Sequence, residues 1–247
     1  MGKLQGKIAV VTGASKGIGA AIARAFGAEG AGVIATYGAD QEGAARTVRA
    51  VEASGAKARA VQADLSKETD VRRLFSITKE TFGRLDVLVN NAGIYRFGPV
   101  EGVTVDEFRQ QFDTNVLGPI LAVREALPLF GPEGGSIINV GTGATELTPP
   151  NGVIYISSKL ALGGVTGVLA RELGPRKIRV NSLSPGVVVT EGMKDMAESD
   201  FVKGLVAQTP LGRIGQPGDI APIAVFLASD DSAWLTGETI VASGGLR

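Results

Sequence analysis

The chain of 247 residues carries 25 basic and 25 acidic side chains, and has neither cysteine nor histidine. The charge balance argues against nucleic acid or an anionic membrane as partner, and the two absences exclude disulfides, thiol nucleophiles, serine–histidine hydrolysis and histidine-ligated zinc. Acid–base chemistry is left to Tyr, Lys, Ser, Thr, Asn and carboxylates, in a chain long enough to bury roughly three-quarters of its unfolded surface around one core.

Residues 1–7 lack the apolar stretch of a signal peptide, and Gly6 stands where a myristoylation signal needs Ser or Thr, so a cytoplasmic protein is expected. Apolar runs are short and broken, so no membrane span is expected. The run Ile8-Ala9-Val10-Val11 predicts a first strand, and 18–26 has helical period. Between them lies Thr12-Gly13-Ala14-Ser15-Lys16-Gly17-Ile18-Gly19, a glycine turn spaced G-x3-G-x-G. Glycines there permit a tight turn and close backbone approach to a phosphate, which the helix N-terminus favours.

A second strand is predicted at 33–36, a helix at 41–53, a third strand at 58–63 closed by Asp64, a helix at 71–82 and a fourth strand at 87–89. Residues 105–130 read as one long helix with a break at Gly118-Pro119. A strand at 136–140, a helix at 154–173, a strand at 178–183, a helix at 220–227 and a last strand at 238–242 follow. Strand and helix alternating at this spacing predict an α/β fold, a doubly wound parallel sheet in a single domain spanning 1–247. Between 187 and 209 the period is lost, and a mobile substrate lid is expected there.

The chemistry concentrates at Tyr155-Ile156-Ser157-Ser158-Lys159. On a helix a phenol and an ammonium four residues apart share one face, and the lysine is expected to lower the tyrosine pKa. Thr142, thirteen residues upstream, follows a predicted buried strand whose end can aim its hydroxyl at the same place.

The glycine turn, Asn90-Asn91-Ala92-Gly93, Asn115, Tyr155-x3-Lys159 and Pro185-Gly186-x3-Thr190 together resemble the short-chain dehydrogenase/reductase family, as does Arg213-x-Gly215-x-Pro217-x-Asp219 near the end. The resemblance spans essentially the whole chain, toward 3-oxoacyl reductase and carbonyl reductase members. It implies a Rossmann-type sheet of about seven strands in order 3-2-1-4-5-6-7. It implies Tyr155 as acid–base group, Lys159 as its partner and ribose ligand, Thr142 as the hydroxyl that polarises a carbonyl, and Asn115 as holder of a relay water. Threonine at 142 departs from the serine usual in the family.

The resemblance further implies cofactor contacts at Gly13, Ser15, Lys16, Gly17, Ile18, Gly19, Thr36, Tyr37, Asp64, Leu65, Asn91, Ala92, Gly93, Tyr155, Lys159, Pro185, Gly186, Val188 and Thr190. At the end of the second strand Thr36 and Tyr37 offer no carboxylate to repel a 2′-phosphate. Lys16 resembles the basic residue of NADP-preferring relatives, so NADP is expected, with NADPH preferred over NADH. The expected substrate is a small carbonyl or alcohol, with Tyr95, Glu146, Leu147, Val187, Met193 and Met196 as candidate pocket residues. No metal site is expected, and a homotetramer is implied. A non-catalytic NADP-binding or regulatory protein and a sugar-nucleotide epimerase or dehydratase are the alternatives.

Overall fold

The computed structural model describes residues 2–190 and 200–246. In chain order the elements are β1 (Ile8–Val11), α1 (Gly17–Ala28), β2 (Gly32–Tyr37), α2 (Gln41–Glu52), β3 (Ala58–Gln62), α3 (Glu68–Phe82), β4 (Val87–Asn90), α4 (Val105–Phe112) and α5 (Gly118–Ala126). Then come β5 (Gly135–Val140), α6 (Ala144–Leu147), α7 (Val153–Leu173), β6 (Ile178–Pro185), α8 (Asp200–Gln208), α9 (Pro217–Ala228) and β7 (Thr239–Ala242).

All seven strands pair in parallel in the order β3-β2-β1-β4-β5-β6-β7. Successive side chains of a strand face opposite sides, so β1 sends Ala9 and Val11 to one core and Val10 to the other. The first core includes Phe26 of α1 and Leu227 of α9, and the second Leu74 of α3, Leu121 of α5 and Leu173 of α7. A strand covered on both faces reads as a continuous apolar run. Each fully buried Leu, Ile or Phe contributes about 1.5–3 kcal/mol.

Local chemistry sets the helix ends. Asp40 accepts from the Gly43 N–H at the start of α2, and Thr104 accepts from the Glu107 N–H at the start of α4. Asp219 accepts from the Gln216 N–H at 2.7 Å and receives a two-pronged contact from Arg213, which fixes the start of α9. The arginine holds the Asp219 carboxyl down at about 2.

Several sequence expectations change. The long helix over 105–130 is four pieces, α4, a π-helical turn at Asp113–Leu117, α5 and a 3-10 turn at Leu127–Leu129. The irregularity thus precedes Gly118-Pro119, because a proline in the first turn of a helix lacks only a hydrogen that has no partner there. The short α6 carries no period long enough to read. Of the expected lid at 187–209, residues 191–199 lie outside the described residues, while α8 forms within it.

Within Val153–Arg176, α7 and the turn after it, an 18-residue stretch has mean hydropathy 1.5, and the segment is long and apolar enough to cross a membrane by length and composition. In this fold Ile154, Ile156, Leu162, Ala170 and Leu173 are buried against the rest of the chain, as in a core helix.

Candidate active site

Parallel order reverses between β1 and β4, and a crevice at the C-terminal strand ends is the place where an open α/β sheet binds ligands. Two adjoining cavities open there, of about 650 and 370 Å³. Lys16, Asn91, Gly93 and Ile94 line both and join them into one cleft.

The cleft is fastened by Thr12. Its buried hydroxyl donates to the Val89 carbonyl at 3.1 Å and accepts from the N–H groups of Asn91 at 2.9 Å and Ala92 at 3.0 Å. The Asn91 side chain donates to the carbonyls of Thr12 and Gly13 at 2.9 and 3.0 Å. These bonds lock the end of β1 to the end of β4. Gly13 has φ of 63°, which favours glycine, and a Cβ at Gly19 would overlap the Asn91 amide and the Gly13 carbonyl. No acidic residue stands in the first turn of α1. A glycine cradle at a helix N-terminus with no acidic residue in its own first turn, and with Lys16 beside it, fits a pyrophosphate-bearing cofactor.

The larger cavity is lined by Gly13, Ser15, Thr36, Tyr37, Asp64, Leu65 and Ala92, all anticipated, and by Gly38, Gln62 and Thr114, which were not. Thr36 is structural, since its buried hydroxyl accepts from the Gly13 N–H at 3.0 Å and so holds the glycine turn. Asp64 is likewise occupied. Burial raises its pKa, but hydrogen bonds from Ser66 and the nearby Lys67 ammonium outweigh burial and hold the carboxyl below its usual range.

The smaller cavity is lined by Gly17, Ile18, Gly19, Tyr95, Thr142, Tyr155, Lys159, Pro185, Gly186 and Thr190. Val188 lies apart, buried and bridged to Gly215, and lines neither cavity. Val187 belongs to a separate hollow beside Arg213. Glu146 and Leu147 lie on α6 and line neither cavity of the cleft, and Met193 and Met196 fall outside the described residues.

Thr142 and Tyr155 line the smaller cavity together. Burial raises the Tyr155 pKa above the ordinary tyrosine value, the neighbouring Thr142 hydroxyl lowers it, and Tyr95 raises it further, with a net upward shift. The expectation that Lys159 pulls the phenol down is therefore corrected. The ammonium is turned to the Val140 carbonyl at 2.8 Å, and burial lowers its own pKa to about 8. Burial disfavours charge on either group, and it is the largest cause of both shifts.

Asn115 is fully buried in the π turn. Its Oδ1 accepts from the Ile94 N–H at 2.9 Å, while Nδ2 donates to the Ile94 carbonyl at 2.8 Å and to the Ser158 hydroxyl at 3.0 Å. Ser158 in turn donates to the Tyr155 carbonyl at 2.7 Å. Both amide hydrogens are spent, so Asn115 fastens the segment after β4 to α7. A π bulge re-aims one residue within a helix, and the site uses that. A Cβ at Gly93 would lie 3.1 Å from Asn115 Oδ1 and 3.4 Å from Lys159 Nζ, so the bare glycine lets the two side chains approach.

Sequence reading assigned no role to Thr12, Ser158 or Phe97. Thr12 and Ser158 gave one signal, a small polar residue at a buried place in an apolar strand end or helix. Phe97 gave none.

A family model described as enoyl-(acyl carrier protein) reductase matches residues 13–247. An uncharacterised oxidoreductase of Methylorubrum extorquens is 55% identical over 100% of both chains. A solved short-chain dehydrogenase/reductase from Serratia marcescens superposes with a TM-score of 0.94 at 36% identity, over 99% of each chain. The angucycline C-6 ketoreductase LanV, solved with bound NADP, gives 0.93 at 39% identity, over 99% of this chain and 97% of that one. Likeness that runs from the glycine turn to the C-terminal strand, at these identities, makes this chain a member of the short-chain dehydrogenase/reductase family of oxidoreductases.

Proposed function

We propose that the protein is an NADP(H)-dependent oxidoreductase that interconverts a ketone or aldehyde and its alcohol, with Tyr155 as the acid–base group. The observation that carries this reading is that Thr142, Tyr155 and Lys159 line one cavity of the cleft together with the glycine turn, with Lys159 one helical turn beyond the phenol. The residues that would hold the cofactor are the glycine turn, Lys16, Tyr37, the Asn91–Gly93 segment, Lys159 and Thr190, and when bound it supplies or accepts a hydride.

Tyr155 carries a proton through the neutral range because burial raises its pKa. It can therefore donate that proton to a carbonyl oxygen, while the Thr142 hydroxyl donates a second hydrogen bond that stabilises the developing alkoxide. Lys159, cationic below about 8, lines the same cavity one helical turn beyond the phenol, where it would hold the cofactor. Asn115 and Ser158 hold α7 in register for these contacts. The test is consumption of NADPH and NADH against a panel of ketones, aldehydes, β-ketoacyl thioesters and an enoyl thioester. Tight cofactor binding without turnover would favour a non-catalytic role.

NADP preference is supported by Lys16, which lines both cavities, by the missing carboxylate at the end of β2, and by likeness to a NADP-bound enzyme. Replacing Lys16 by Ala is expected to weaken NADPH by about tenfold or more and NADH by less than threefold, on the order of one exposed charge-assisted contact. Equal losses in a binding titration would remove Lys16 as reader of the phosphate.

We extend the reading to a cytoplasmic protein with a substrate lid over 187–209 and a homotetrameric assembly. Thr190 at the cavity edge supports the lid. For assembly the support is an apolar outer face, with Leu160 and Val168 exposed on α7, Ile120 exposed on α5, and open space beside Gly163, Gly164 and Gly167. Sedimentation at micromolar concentration is expected to give the mass of four chains, and a monomer would refute this.

A further inference from the structure

Tyr155 is not alone at the substrate side of the cleft. The Phe97 ring lies 5.6 Å from its ring at 54°, and the Tyr95 ring 6.1 Å away edge-on at 62°. Both flanking rings are largely open, Tyr95 at 60% and Phe97 at 50% exposure. Large exposed aromatics usually belong to loose surface, and here they do not.

The segment that bears them has no regular structure but is fastened at three alternate residues. Ile94 is held through its N–H and carbonyl by Asn115, the Arg96 N–H donates to Gln111 Oε1 at 3.4 Å, and the Gly98 N–H donates to the Asn151 carbonyl at 2.8 Å. Residues between the fastenings, 95 and 97, are those whose rings meet Tyr155. The partner loop is shaped to match. Asn151 adopts φ of 66° on the way into Gly152, and a Cβ on Gly152 would lie 3.1 Å from the Phe97 ring, so the absence of a side chain there seats that ring.

Beyond Phe97, away from the cofactor cleft, lies a third cavity of about 360 Å³, walled by Phe97, Pro99, Val103, Val153 and Ile154. Its charged lining residues are Arg96 and Glu107, one of each sign, so it offers no net field to an anionic tail. The volume falls in the range of small-molecule pockets.

We infer that Tyr95 and Phe97 form a preorganised aromatic platform that selects uncharged, flat ring ketones, or the matching ring alcohols, whose ring system lies on the platform and extends toward this cavity. The inference rests on the carbonyl–alcohol reading of the Tyr155 site and names its substrate class. Rings favour offset and edge-to-face contact with other rings, and a platform ordered in advance loses little entropy when it is covered. Acyclic chains gain area on such a platform but not ring-to-ring geometry, so the platform discriminates shape rather than hydrophobicity alone.

The probes are 1-tetralone, a bicyclic ketone, 2-decanone, an acyclic ketone of the same carbon count, and acetoacetyl-CoA, in steady-state reduction with NADPH. The wild-type kcat/KM is expected to be about tenfold or more higher for 1-tetralone than for either acyclic probe. In Phe97→Leu, which keeps an apolar side chain on Gly152, that ratio falls about tenfold, chiefly through the KM for 1-tetralone, and Phe97→Tyr retains it. Calorimetric titration of 2-naphthol into the wild-type chain and Phe97→Leu reads the platform without turnover, and weaker binding in the variant is expected. Preference for acetoacetyl-CoA or 2-decanone, or a ratio unchanged in Phe97→Leu, overturns the platform while leaving the carbonyl–alcohol reading intact. No turnover on any probe, with 2-naphthol binding still lost in Phe97→Leu, overturns the catalytic reading and leaves the platform as a ring-binding surface.

Discussion

Replacing Tyr155 by Phe is expected to lower kcat for carbonyl reduction by on the order of 10³–10⁴, with cofactor affinity within about threefold of wild type. The substitution removes one oxygen and keeps the ring that touches Tyr95 and Phe97, so the loss reads the proton and not the packing. Stopped-flow transfer from NADPH, with a fluorescence titration of the cofactor, separates the two quantities. Thr142→Val, which keeps the volume and deletes the hydroxyl that lines the same cavity as the phenol, is expected to cost about a hundredfold. The double variant should then cost little more than Tyr155→Phe alone, because groups acting on one oxygen are not additive. Multiplicative losses would mean that the two hydroxyls act on different steps. The upward shift of Tyr155 also fixes the direction of the pH effect. A phenol protonated through neutrality serves reduction there, whereas alcohol oxidation needs the phenolate and should rise with pH.

Lys159→Met is expected to reduce kcat by about a thousandfold at pH 7 and to abolish a limb of the pH profile centred at about 8. The wild-type reduction rate should fall as pH rises through that value, since the ammonium that would hold the cofactor beside the phenol loses its charge. Stability moves the opposite way. The lysine pKa drops from 10.5 in the unfolded chain to about 8 in the fold. Between those values the unfolded chain therefore binds more protons than the folded one, and stability rises with pH. The gain, complete near 10.5, is on the order of 3 kcal/mol for a shift of this size. In Lys159→Met this contribution is absent, so the difference in Tm between the two proteins should change progressively across that window in favour of wild type. A pH-independent difference would show that Lys159 is not held in a desolvated state. Loss of the bond to the Val140 carbonyl is common to every pH and does not mimic the effect.

The alternation of strands and helices, the glycine turn and the spacing of Tyr155 and Lys159 were legible in the sequence because each is a local pattern, while the order of strands in the sheet came from the family resemblance. Buried parallel strands are short apolar runs such as 8–11 and 136–140, glycines punctuate them, and residues four apart on a helix share a face. The lining residues followed from the same motifs, so most of those anticipated stand around the two cavities. Val188 does not, because whether a side chain near a strand end faces the cleft depends on what pairs with it, here Gly215.

What the tertiary structure decided is the charge state and the fastening. Proximity along a helix suggested that Lys159 would depress the phenol, yet burial, which no spacing reports, raises one pKa and lowers the other. Asn115 was visible as a polar residue near a helix break, but only the packing of the π turn against the segment after β4 shows its amide spent on Ile94 and Ser158. The same holds for Thr12, Thr36 and Phe97. Their partners lie 77 residues away for Thr12, 23 for Thr36, and on α7 for Phe97, so nothing local names those partners. Sequence by itself determined which chemistry this protein can hold, because that depends on residue types at short spacing. The fold decided where protons rest and which rings face the substrate, because desolvation and contact are properties of residues brought together from distant parts of the chain.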